Sequence, residues 1–303
     1  MDAGRSGQRQ ESAQFVMLAV AVIAVSMAAP IVVACGAPAL AIAFWRCALG
    51  SAATFSWLLL RRRWDMRRVR SRWLLLAGLA LAIHFAAWIP SLRLTSVAAA
   101  TALVATVPIW TALIARVVGQ QIRWQVWLGI GCAMLGVLLL TGVDASRGSA
   151  ALVGDGLALL GGVAAAGYLS AGARVRRLLP AAEYNAAVYG LAAGALLLIC
   201  LAVDVPLFGY SMRDWLLIGL MTLLAQLLGH SLVNVVLRHL SATVVGLALL
   251  LEVPGAILVA AVWLGQLPQA TIIPAIACIL VGLAVVMLGD GRRQLSGRPT
   301  PSA

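Results

Sequence analysis

Glu252 lies inside LALLLEVPGAILVAAVWLGQ (247–266), twenty residues that are otherwise apolar but for the closing glutamine. An ionised carboxylate at the centre of a bilayer costs roughly 3 kcal/mol or more, so the residue demands either a polar partner or water. The hairpin before it supplies candidates. His230 stands ten residues ahead of a turn near Leu240 and Glu252 twelve behind it, which is about 15 and 18 Å of helix on adjacent strokes. Asn234 follows His230 by one helical turn and shares its face. Earlier in the chain, His84 and Trp88 repeat that four-residue spacing, and His84 and Thr106 flank a turn near Leu94 at similar heights. Around a central cavity these side chains would bind a substrate or relay a proton. Glu252 would there be hydrated, paired with an imidazolium, or protonated. The competing reading is plain interhelical hydrogen bonding, with a protonated Glu252 donating to a backbone carbonyl. Arg46, after FW in the second apolar run, either snorkels outward, caps backbone carbonyls or attracts an anionic substrate. Tyr168 reads as a packing residue. Asp155, near the start of its helix, reads as interfacial and favoured by the positive helix end.

Only helices in lipid can hold such groups at that depth. Of 303 residues, 63% are hydrophobic and 11% charged, and the mean hydropathy is +1.01, against about a quarter charged in soluble domains. The chain is an integral membrane protein. Its apolar runs suit helices crossing ~30 Å of hydrocarbon and not the ~10-residue alternation of a membrane barrel. Reading the runs between charged or turn-rich breaks predicts ten helices, near 14–34, 39–60, 73–92, 96–117, 124–142, 153–173, 184–203, 214–236, 241–264 and 270–288. The first run has no small-residue cleavage pattern behind it and reads as a retained helix. The five cysteines form no close motif, so neither a zinc site nor a redox pair is expected.

All 22 basic residues are arginines. With the N-terminus in the cytoplasm, eighteen of them face the cytoplasm and only Arg93, Arg147 and Arg213 face out. That asymmetry in short loops predicts cytoplasmic termini. The net charge of +12 is then topogenic and no sign of nucleic-acid binding. The Arg61–Arg72 loop is expected to touch anionic headgroups.

The chain also repeats itself. TVPIWTALIARVVGQ (106–120) resembles EVPGAILVAAVWLGQ (252–266); Pro108 and Pro254, Gln120 and Gln266, and Gly136 and Gly282 all stand 146 residues apart. HFAAWIPSLR (84–93) and HSLVNVVLR (230–238) form a looser pair. Two units of five helices follow, 14–142 and 153–288, with tails 1–13 and 289–303. Five is odd, so the second unit enters from the opposite side. The expected fold is an all-α membrane protein of ten helices in two inverted five-helix repeats, with a site near the midplane. Pro108 and Pro254, matched between halves, would kink their helices and act as hinges or free carbonyls for substrate.

Three stretches together resemble the EamA family of the drug/metabolite transporter superfamily: SMAAPIVVACGAPALAIAFWRCALGS, HFAAWIPSLRLTSVAAATALVATVPIWTAL and GHSLVNVVLRHLSATVVGLALLLEVPGA. The likeness spans about 14–288. It implies ten helices, inverted repeats, cytoplasmic termini and transport, often outward, of small metabolites that differ widely among members. Two departures stand out. The glutamate that the family commonly carries after glycine at the ends of helices 4 and 9 is Gln120 and Gln266 here, and Val253 separates Glu252 from Pro254.

No Walker loop, GxSxG or HExxH occurs, so no catalytic residue, cofactor or metal is expected, and energy must come from an ion gradient, exchange or the substrate itself. The leading expectation is a secondary transporter, in an inner membrane, of a small polar or amphipathic metabolite such as an amino acid, with proton coupling open. A membrane scaffold or assembly factor keeping the transporter fold is the alternative, and a lipid-directed membrane enzyme a third.

Overall fold

The computed structural model describes residues 2–61, 71–176, 178–236, 245 and 248–296, with side chains described for the same residues except 2–12, 234 and 290–296. Among them there is helix and no strand. In chain order the helices are α1 (Asp2–Ser26), α2 (Ala28–Ala34), α3 (Ala39–Leu60), α4 (Arg72–Leu94), α5 (Val97–Val104), α6 (Val107–Val117), α7 (Trp124–Ala145), α8 (Ser149–Val175) and α9 (Ala181–Ala202). Then come α10 (Met212–Met221), a π-helical segment (Thr222–Gly229), α11 (His230–Val236), α12 (Glu252–Leu264) and α13 (Ile273–Ser296). Nine helical stretches among the described residues are long and apolar enough to cross a membrane, and Glu252–Leu264 is a shorter apolar helix. Most of the expected span 241–264 ahead of Glu252, and residues 62–70 of the Arg61–Arg72 loop, lie outside the described residues.

Local chemistry sets the boundaries. Ser71, Ser96 and Ser211 cap α4, α5 and α10, each hydroxyl accepting a first-turn amide. Gly119 and Gly265 close α6 and α12 at φ +88° and +68°, left-handed angles that glycine adopts without strain. This explains the glycine before each of Gln120 and Gln266. The expected continuous helix 96–117 is in fact two, broken at Ala105–Thr106 with Pro108 in the first turn of α6, where its missing N–H costs no bond. Pro254 likewise sits in the first turn of α12. The prolines therefore open half-helices instead of bending whole ones.

Glycines then let helices meet backbone to backbone, as lipid-embedded helices require. α4 and α8 run antiparallel: a Cβ on Gly154 would stand 2.9 Å from Leu94 Cβ, and one on Gly161 3.1 Å from Trp88 Cβ. Next door, a Cβ on Gly162 would stand 3.1 Å from the Val104 carbonyl at the α5–α6 break. α7 and α13 also pack antiparallel. A Cβ on Gly136 would meet Ala275 O and Ile279 N at 2.7 Å, and one on Gly282 would meet Gly129 O at 2.6 Å and the Ala133 amide. Subtracting 146 from 275 and 279 returns 129 and 133, so the contact is reciprocal. At its centre Cys132 and Cys278, also 146 apart, bring their sulfurs to 3.5 Å, and each thiol lies within reach of the other's carbonyl, at 3.5 and 3.2 Å.

Candidate functional site

The most demanding group in the interior is Arg46. It lies on α3 with 1% of its surface exposed, so it does not snorkel outward. Its Nε donates to Gln226 Oε1 at 3.0 Å, and its guanidinium carbon stands 4.0 Å over the Phe85 ring. A guanidinium has no lone pair to offer, so Gln226 must present its oxygen and turn its amide nitrogen away. That nitrogen packs against Gly50, where any Cβ would collide with it. Gln226 belongs to the π segment; such segments interrupt the regular helical ladder, often at functional positions. Among the described residues, Arg46 Nη1 and Gln226 Nε2 are buried without a hydrogen-bond partner.

The sequence candidates gather around this cation. The charge of Arg46 acts on His84, His230 and Glu252, so residues from α3, α4, α11 and α12 share one region. The His230 side chain is exposed, while those of His84 and Glu252 are half-buried. The Nδ1 of His84 lies 2.9 Å from the Gly161 carbonyl; a carbonyl only accepts, so Nδ1 carries the hydrogen and Nε2 keeps its lone pair as an acceptor. Glu252 opens α12, with its backbone carbonyl 3.4 Å from Ser26 Oγ. No ion pair joins its carboxylate to Arg46.

Trp88 is less available. It is 4% exposed and stacks on His84 with ring centroids 5.8 Å apart, with its indole N–H unpartnered among the described residues. It backs the histidine. Asn234 lies on α11, but its side chain falls outside the described ones. Tyr168 is half-buried and stacks on Tyr184 at 6.4 Å. Asp155 is 1% exposed, beside Gly154, which packs on Leu94 and Thr95 at the end of α4. It sits well inside α8, which begins at Ser149, beyond reach of the free helix-end amides. Sequence reasoning missed Gln226 and Phe85. A glutamine one turn before His230 in MTLLAQLLGH was the available signal, as was the phenylalanine beside His84.

One end of the molecule is clamped. The link between α2 and α3 is gripped from two sides. The Arg93 guanidinium donates to the Val33 and Ala37 carbonyls at 3.3 Å, and also to Cys35 O. From α10, Asp214 Oδ1 accepts the Gly36 amide at 2.6 Å. Trp45 adds an indole bond to Leu207 O at 2.8 Å and packs edge-on against Phe208 and Trp215. At the other end, Val117, the last residue of α6, and Leu267, in the link after α12, are 86% and 79% exposed.

The chain matches the EamA-like transporter family twice, over residues 12–142 and 152–288. No curated protein matches it. A solved crystal structure shares its fold with a TM-score of 0.64 at 20% identity, covering 91% of this chain and 98% of that one. The apolar helices and the doubled match make this a multi-pass membrane protein that belongs to the EamA-like transporter family, within the drug/metabolite transporter superfamily.

Proposed function

We propose that the protein is a secondary transporter that exports a small polar or amphipathic metabolite, such as an amino acid, by alternating access across an inner membrane. Ten helices act as two inverted five-helix repeats, 14–142 and 153–288, with both tails, 1–13 and 289–303, in the cytoplasm. The observation that carries the reading is the buried Arg46 cation, held by Gln226 and Phe85, whose charge reaches His84, His230 and Glu252 on three other helices. Buried ionisable groups in membrane spans are costly and concentrate on substrate and ion paths. Support for inversion comes from the reciprocal antiparallel contact of α7 and α13, the last helix of each repeat. An isologous contact between equivalent elements requires a two-fold axis, and antiparallel mates place that axis across the helices. The half-helices opening at Pro108 and Pro254 supply matched hinge points. The clamp on the α2–α3 link supports an outer gate that must release in turn.

In this mechanism Glu252 carries the coupling proton, and His84 and His230 bind substrate beside it, with Asn234 one turn beyond His230 on α11. In reconstituted vesicles, Glu252→Gln is expected to uncouple uptake from a proton gradient while substrate exchange persists. An unchanged pH dependence of uptake in that variant would refute the role.

A further inference from the structure

Away from Arg46, at the clamped end, two buried acids meet at one hydroxyl. Asp144 lies in the last turn of α7 and is 0% exposed; Asp155 lies in the second turn of α8 and is 1% exposed. Thr95, the residue that ends α4, stands between them. Its Oγ donates to Asp144 Oδ2 at 3.3 Å. A Cβ on Gly154 would stand 2.9 Å from the Thr95 amide and 3.0 Å from Thr95 Cβ, and the neighbouring Asp155 carboxyl reaches the Thr95 hydroxyl. Apart from that hydroxyl, both Asp155 oxygens are buried without a partner among the described residues. Arg147, in the α7–α8 link, places Nη1 3.1 Å from Asp144 Oδ1 and keeps its own side chain 37% exposed.

We infer that Asp155, Thr95 and Asp144 hold a small, hard monovalent cation, with sodium as the ion. A threonine hydroxyl has one hydrogen and two lone pairs. With its hydrogen on Asp144, Thr95 turns a lone pair to Asp155, and that contact is repulsive unless a positive charge lies in it. Arg147 cancels Asp144, but no basic group pairs with Asp155 among the described residues. A buried charge left without its counter-charge is strongly destabilising. One monovalent cation makes the cluster neutral, and a divalent one would overshoot. The donors are carboxylate and hydroxyl oxygens, the ligands of hard cations. The 3.3 Å between Thr95 Oγ and Asp144 Oδ2 is long for an O–H···O bond, about 2.5–3.0 Å. It suits adjacent oxygens of an octahedral shell, which stand about 3.3–3.7 Å apart around an ion of calcium's size, close to sodium's. Thr95 follows Arg93 of the clamp by two residues, and the α7–α8 link joins the two matched repeats. The ion therefore ties both halves at the clamped end.

Two measurements on the intact, purified protein in detergent test this. The first is thermal unfolding in sodium, potassium or choline chloride at one pH and equal ionic strength. The second is equilibrium binding of radioactive sodium. Sodium should raise the melting temperature saturably by several degrees over choline, and potassium should raise it less. Asp155→Asn removes the uncompensated charge and keeps the shape. It should melt in choline at or above the parent, and its sodium affinity should fall on the order of 10-fold or more. Thr95→Val should lose sodium binding and Thr95→Ser should keep it. Equal melting of the parent in sodium and choline overturns the site, as does an unchanged sodium response in Asp155→Asn. Stabilisation of the parent by acid in choline, with none from sodium, assigns the charge to a proton on Asp155 and also overturns it. If Asp155→Asn does not fold, the two Thr95 variants decide: equal sodium binding by both overturns the site.

Discussion

Arg46 shows how a residue's role is set by what lies opposite it. Its position in FWR announced a charge in a span, but three fates were open to it. The choice was made by Gln226, 180 residues away, and by the absence of a side chain at Gly50. That glycine is where the Gln226 amide rests, so Gly50→Ala should push the glutamine off the guanidinium. Both Gly50→Ala and Gln226→Leu are expected to lower stability by about 2 kcal/mol, the worth of a hydrogen bond to a charged group. The double variant should cost little more than either alone, because both remove the same contact. Thermal or denaturant unfolding of the four proteins in detergent measures this cycle, and strict additivity would show that Gly50 does not act through Gln226. His84, His230 and Glu252 were legible in sequence because polar residues in apolar runs are rare. Gln226 and Phe85 were not, because their meaning lies in a cation on another helix.

At the scale of elements, helix existence followed hydropathy closely, and helix continuity did not. The run 96–117 reads as one span, yet it breaks at Ala105–Thr106, where the Val104 carbonyl packs closely against Gly162 of α8. The π segment before His230 is equally silent in the sequence. The clamp on the α2–α3 link makes a functional claim at this scale. Cys35 lies inside it, 1% exposed, its thiol 3.8 Å from Asp214 O, and burial is the main influence pushing that thiol above its usual range. At neutral pH it is then an unreactive, protonated thiol. In a protein whose other four cysteines are replaced by alanine, Asp214→Ala and Arg93→Gln should speed labelling of Cys35 by a membrane-impermeant maleimide several-fold. Substrate should change the rate in the parent. Labelling as slow in both variants as in the parent would show that the clamp does not govern access.

Over the whole molecule, the repeat is visible twice, as an interval in sequence and as a contact in space. Cys132 and Cys278 join the two, standing 146 residues apart with sulfurs 3.5 Å from each other. Mild oxidation should therefore tie the halves together, since a disulfide needs only a further approach to about 2 Å. With a protease site inserted after Arg147, cleaved protein should migrate as one chain when oxidised and as two halves when reduced. Two halves under both conditions would contradict the α7–α13 pairing. The interval alone predicted two related units, but not that their last helices meet. Composition and hydropathy by themselves determined that this chain lives in a membrane and where most of its spans lie, because both depend on the cost of placing a local segment in lipid, and spacing alone showed that it contains a repeat. The tertiary structure decided where helices break, which buried charges converge and which end is clamped, because those outcomes are fixed by contacts between segments far apart in the chain.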